Sequence, residues 1–158
     1  MAPTARSRVS GYYRLSSGAS TGKLPTINGA IHIECKILRH VVSSTAEAKV
    51  GSVFHNYQIA IPIRTLLHTL NHPQPPNPAK KDNSTDVGFV HENIHQKRSK
   101  SWDMMYYWIR DRITQLLFRI FWDKGINNHG DYPTKHHPVT HHRVVRPRYV
   151  RDTPHIIT

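Results

Sequence analysis

Hydrophobic and polar positions along the chain alternate in two rhythms. From Val9 to Ser16 the run Val-Ser-Gly-Tyr-Tyr-Arg-Leu-Ser has the β-branched and aromatic content of a strand. Residues 17–29 hold three glycines and a proline and predict a loop. From Ala30 to Leu38 the chain alternates, with Ile31, Ile33, Cys35 and Ile37 on one face and His32, Glu34 and Lys36 on the other. That period of two predicts a second strand, and the two strands read as a hairpin.

The period then changes. Ser44 and Glu47 have the spacing of a capping box, and Val50, Val53, Phe54, Tyr57 and Ile61 follow at helical spacing. Pro62 is expected to kink or interrupt this helix before it resumes through Leu66, Leu67 and Leu70. Residues 72–78, with four prolines, predict a stiff connector to a short strand over Ala79–Lys81, which delivers Asp82 at its end. Ser84 is placed to start a brief helix. A second long helix carries Trp102, Met105, Tyr106, Ile109, Ile113 and Leu116 on one stripe, and Phe118–Trp122 alternates again as a strand before a turn over residues 125–130. The order is an α/β pattern with helices covering a mixed sheet. The expected organisation is a disordered basic N-terminus over residues 1–8, one domain over 9–135, and an ill-ordered His-, Arg- and Pro-rich tail over 136–158.

Charge narrows the partners. Twenty-two Lys and Arg against ten Asp and Glu give a formal charge of +12, an excess that favours a polyanion, with nucleic acid ahead of an acidic membrane surface. Cys35 is the single cysteine, so neither an intrachain disulfide nor a cysteine-based zinc site can form, and it reads as a small apolar filler. The first residues lack the apolar stretch of a secretory signal and no run is long enough to span a bilayer, which predicts an intracellular protein of cytoplasm or nucleus. Nothing in the sequence suggests a small-molecule substrate.

Four segments, in order, resemble the ribonuclease H domain of copia-type retrotransposon Pol polyproteins. They are Ser43-Ser44-Thr45-Ala46-Glu47-Ala48-Lys49, then Asp82-Asn83-Ser84-Thr85, then the stretch from Arg98 to Arg110 (Arg-Ser-Lys-Ser-Trp-Asp-Met-Met-Tyr-Tyr-Trp-Ile-Arg), and then Asn128-His129-Gly130-Asp131-Tyr132-Pro133-Thr134-Lys135. The likeness spans roughly residues 5–142 and implies a ribonuclease H-like mixed sheet flanked by helices. It also implies cleavage of the RNA strand of RNA–DNA hybrids with two Mg2+ or Mn2+ ions. Such ions require a dense carboxylate cluster, and the family supplies four.

Carried over by position, Asp82 and Asp131 stand at two of the four places. The helix Glu falls on Lys49, and the first-strand Asp has no counterpart, because the sequence starts after the point where that central strand would end. The expectation is therefore a sheet lacking its middle strand, with open edges on both sides of the gap. Glu47 does not replace the lost Glu: at about 100° per residue, positions 47 and 49 point to opposite flanks of the apolar stripe. With Asp82 and Asp131 negative and Lys49 positive, the site's formal charge is −1, where two dications demand far more. The resemblance thus describes a decayed nuclease. Its alternatives are a non-catalytic basic module that binds nucleic acid, and a relic with no function.

The basic knot Gln96-Lys97-Arg98-Ser99-Lys100 suits phosphate contact through Lys97, Arg98 and Lys100. Its bland reading is a solvated helix entry. The doublets His136-His137 and His141-His142 could chelate a transition metal, but consecutive histidines on a loose segment fix no geometry. Trp102, Tyr106, Ile109 and Trp122 could serve as base-stacking platforms, yet their periodicity predicts core.

Overall fold

The structure is a computed structural model that describes residues 7–16, 27–38, 45–81, 100–122 and 128–149. Of the sequence expectations, Ser44, Asp82, the helix at Ser84, Lys97, Arg98 and most of the turn after Trp122 lie outside them. Among these residues the architecture is mixed α/β, as expected, with four strands in two separate two-stranded sheets.

The first sheet is the anticipated hairpin. Strand β1 (Arg8–Ser16) pairs antiparallel with β2 (Ile27–Ile37), Val9 opposite Lys36 and Gly11 opposite Glu34, with the register slipping after Tyr13. Leu38 N–H donates to Ser7 O at 2.9 Å. Bonded and non-bonded pairs alternate along an antiparallel ladder, so Val9, Gly11 and Tyr13 turn their backbone groups toward β2. Arg8, Ser10 and Tyr12 turn theirs to the outer edge. The second sheet joins β3 (Asn77–Lys81) and β4 (Phe118–Trp122) in parallel, Asn77 opposite Phe118 and Lys81 opposite Trp122.

Helix α1 (Thr45–Thr69) serves both sheets. Its residues Val53 and Tyr57 meet Ile109 of α2 (Lys100–Thr114) and Phe118 and Ile120 of β4 in the main core, with Val50, Phe54, Ile61, Ala79, Trp108 and Ile113 packed around them. Tyr57 stacks on Phe118 with centroids 3.7 Å apart. Toward the hairpin, Asn56 Nδ2 donates to Ser10 O at 3.0 Å, and Asn56 Oδ1 accepts from the Tyr13 hydroxyl at 3.1 Å. Gly11 leaves room for this pair: a Cβ would lie 2.6 Å from the Tyr13 ring and 2.8 Å from Asn56 Oδ1, so those side chains would have to shift.

Several expectations are corrected. Helix α1 continues through Pro62, so the interruption that the missing backbone N–H could cause is absent, and Ile61 beside it packs against the main core. Leu116 leaves the apolar stripe. It is 67% exposed with φ 57°, closing α2 through Leu116 N–H to Ile113 O and Leu117 N–H to Arg112 O, a left-handed terminus ordinarily given to glycine. Asn71 ends α1 in the same way.

Strand β2 alternates as read, but its polar face is the one turned to α1. Glu34 meets His55 at 2.8 Å, while Ile31, Ile33 and Ile37 are 48%, 46% and 49% exposed. Val9 of β1 supplies the apolar contact on the covered side, so the hairpin can dock on α1 without those isoleucines. Cys35 is exposed, not a core filler, and its thiol donates to Pro133 O at 3.2 Å.

Of residues 136–158, expected as an ill-ordered tail, the structure describes 136–149, which hold helix α3 (Val139–Val145) and a 3-10 turn over Arg146–Arg148, after a 3-10 turn over Tyr132–Thr134. Trp102, Tyr106 and Ile109 are buried, which makes them core as their spacing predicts.

Candidate active site

Asp131 sits where the chain returns to the hairpin. A Cβ on Gly130 would lie 3.8 Å from Ser10 O and 3.9 Å from Tyr12 N, the two backbone groups that face the outer edge of β1. The turn is fixed by Asp131 N–H to Asn128 O at 3.1 Å and Thr134 N–H to Asp131 O at 3.0 Å, and the Thr134 hydroxyl donates to the same carbonyl at 2.6 Å. The Asp131 carboxylate is engaged: Lys135 Nζ lies 2.5 Å from Oδ2, one helical turn on in sequence. Both side chains are partly exposed, so the pair adds little stability, yet it places a cation on the one candidate carboxylate of the sequence analysis that lies within the described residues.

Lys49 is half-buried near the start of α1, and Glu47, two positions before it, is buried. The sequence reading gave Glu47 only a capping role; the structure makes it the buried charged side chain of the described residues. β3 ends at Lys81, so Asp82 follows it directly in sequence. Lys100 opens α2 and is exposed. The structure thus places Asp131 against the hairpin and Lys49 on α1, and it does not assemble a carboxylate cluster from described residues. Among these residues no group of three or more His, Cys, Asp or Glu could hold a metal ion. Nor is any helix among them long and apolar enough to cross a membrane.

Two features escaped the sequence reading. One is the triad Lys36–Glu34–His55. Burial would raise the Glu34 carboxyl, but hydrogen bonds and charge from Lys36 and His55 outweigh it and hold that carboxyl below its ordinary value of 4.5. The other is an aromatic and imidazole cluster in the C-terminal segment. Tyr132 stacks on His137 at 4.9 Å and on Tyr149 at 5.0 Å, His137 stacks on His141 at 4.4 Å, and the Tyr132 hydroxyl bonds His142 Nδ1. Tyr12 of β1 makes edge contacts with His129 and Tyr149, and the Tyr149 hydroxyl donates to His129 O at 2.5 Å. The only sequence cue was a tyrosine on each side of the histidine doublets.

Comparison of the chain with protein-family models, with curated proteins and with solved structures finds no match.

Proposed function

We propose that the chain is a remnant of a copia-type ribonuclease H domain that no longer cleaves RNA in RNA–DNA hybrids and retains a basic surface for nucleic acid. The observation that carries this reading is the division of the strands into two pairs, β1–β2 and β3–β4, joined to the same helix. The resemblance implies a sheet whose middle strand is missing, and two open pairs are what such a loss leaves.

The inherited chemistry needs two divalent cations held by four carboxylates. The residues present do not fit them. Lys49 stands at the place of one carboxylate, the first-strand Asp has no counterpart, and Lys135 holds Asp131 at 2.5 Å. No hydrolytic step is derived for this site. What remains is electrostatic: a chain of charge +12 releases counterions from a phosphate backbone whatever its sequence.

The test is a cleavage assay on an RNA–DNA hybrid with Mg2+ and with Mn2+, together with binding isotherms at several salt concentrations. The expected result is no cleavage above a buffer control, and binding of hybrid, duplex and single strand with little preference and a steep salt dependence. Lys49→Glu alone stays inactive. Cleavage is expected only when Lys49→Glu is combined with an added first strand that carries its Asp, and Asp82→Asn or Asp131→Asn abolishes it again. Robust cutting by the unaltered chain, lost on Asp82→Asn, overturns the proposal.

A further inference from the structure

We infer that the proline-rich connector between α1 and β3, residues 72–78, is a docking segment for a protein with an aromatic-lined groove that takes polyproline. The inference stands apart from the nucleic-acid reading and draws on neither the carboxylates nor the basic charge.

The sequence dictates the backbone. Pro73, Pro75, Pro76 and Pro78 each fix their own φ, and His72, Gln74, Pro75 and Asn77 each precede a proline, which turns them away from the helical region toward extended or polyproline II conformation. The chain accordingly has neither helix nor strand from His72 to Pro76 and enters β3 at Asn77. A polyproline II helix repeats about every three residues, and burial here follows that period. Gln74 and Asn77 form a half-buried edge. Pro73 and Pro76 on a second edge, and Pro75 and Pro78 on a third, are exposed. Each outward edge thus carries a Pro-x-x-Pro pair, the spacing at which aromatic-lined grooves take prolines. Pro78 fits at the start of β3 because Asn77 is the residue whose N–H donates across to Leu117 O, at 2.9 Å, so the N–H that Pro78 lacks belongs to the side away from β4.

The inner edge holds the segment still. Arg64 of α1 donates to Gln74 O and Pro75 O, each at 2.5 Å, and to Asn77 Oδ1 at 3.0 Å. Gln74 N–H donates to His68 Nε2 at 3.3 Å, and Gln74 Nε2 to His72 O at 2.9 Å. These bonds engage main-chain groups and the two inward side chains, and none involves a proline ring. Stiffening a connector needs prolines but no particular spacing; outward Pro-x-x-Pro pairs on a tethered, extended backbone are what a groove requires. A ligand that is already extended and tethered loses little freedom on docking, and proline rings have almost no rotamer entropy to lose.

The experiment titrates the whole chain into a set of isolated, isotope-labelled SH3 domains and follows the indole N–H resonance of each groove tryptophan. The expected result is a saturable shift of that resonance, reversed by a synthetic Pro-x-x-Pro peptide. Pro75→Ala with Pro78→Ala should weaken binding about tenfold, the scale of losing one anchoring contact. Arg64 grips carbonyls and the Asn77 side chain, so alanine leaves the clamp in place. Pro75→Ala alone, which lies outside β3, should give a several-fold loss with an unchanged far-UV circular dichroism spectrum. Shifts that survive both substitutions, the outcome when the basic chain meets an acidic domain surface through charge alone, overturn the inference. So does the absence of groove shifts with every domain of the set. Neither result touches the nucleic-acid reading, which the hybrid assays decide.

Discussion

Arg64 decides whether β3 is held in place, and its removal can be given a magnitude. From the last third of α1 its guanidinium donates to Gln74 O and Pro75 O, each at 2.5 Å, and to Asn77 Oδ1 at 3.0 Å. The connector over residues 72–76 has neither helix nor strand to satisfy its carbonyls; Gln74 Nε2 donates to His72 O and Gln74 N–H to His68 Nε2, and Arg64 ties two further carbonyls to the first residue of β3. Hydrogen bonds to a charged donor contribute about 1.5–3 kcal/mol each when shielded. These three are partly wet, and water replaces some of what Arg64→Ala removes, so the expected cost is about 2 kcal/mol in total. Arg64→Lys keeps the charge but not the planar fork that reaches three acceptors, and should recover less than half. The assay is urea unfolding followed by far-UV circular dichroism, with amide exchange of Asn77, whose N–H donates to Leu117 O at 2.9 Å, as the local reporter. An Arg64→Ala variant within about 0.5 kcal/mol of the parent, with Asn77 still protected, would refute the idea that this clamp positions β3.

Three further outcomes are expected. At position 116, glycine should be more stable than alanine by about 0.5–1 kcal/mol, because the left-handed conformation penalises a Cβ. The order should reverse at exposed Gln58 inside α1, and unfolding midpoints of the two Ala/Gly pairs check it. The Tyr57 hydroxyl is buried with no hydrogen-bond partner among the described residues, so Tyr57→Phe should stabilise the fold by about 1 kcal/mol in thermal or urea unfolding. Glu34 is held below its ordinary carboxyl value by Lys36 and His55, so its contribution is complete above pH 4.5 and is lost as pH falls through the lower folded value. Glu34→Gln should remove that part of the acid-limb slope, seen as a smaller difference in stability between neutral and acidic pH.

The sequence showed the elements better than it showed their surroundings. The stripes of α1 and α2 were legible because Val53, Tyr57, Trp102, Met105, Tyr106 and Ile109 recur at a spacing that fixes which side is buried. Strand β2 shows where that logic stops. Alternation sorts Ile31, Ile33 and Ile37 from His32, Glu34 and Lys36, but it does not say which set meets a helix. That was decided by His55 on α1 and by Val9 and Gly11 on β1, partners far away in sequence. Leu116 was misread for a related reason: periodicity continues past the point where α2 must turn to enter β4, and the capping geometry overrides it.

The C-terminal segment makes the same point. Residues 136–149 contain few aliphatic side chains, and by composition they read as a tail that has nothing to bury. Val145 is the one buried aliphatic side chain there, and the other contacts are made by rings: Tyr132 stacks on His137 and on Tyr149, while Tyr12 meets Tyr149 edge-on. Rings supply large contact areas at small entropic cost, and the imidazoles that would chelate nothing as a loose doublet become part of a packed cluster. A stripe-based reading assigns such histidines either to a metal or to solvent, and both assignments miss the ring contacts that His137 makes with Tyr132 and His141.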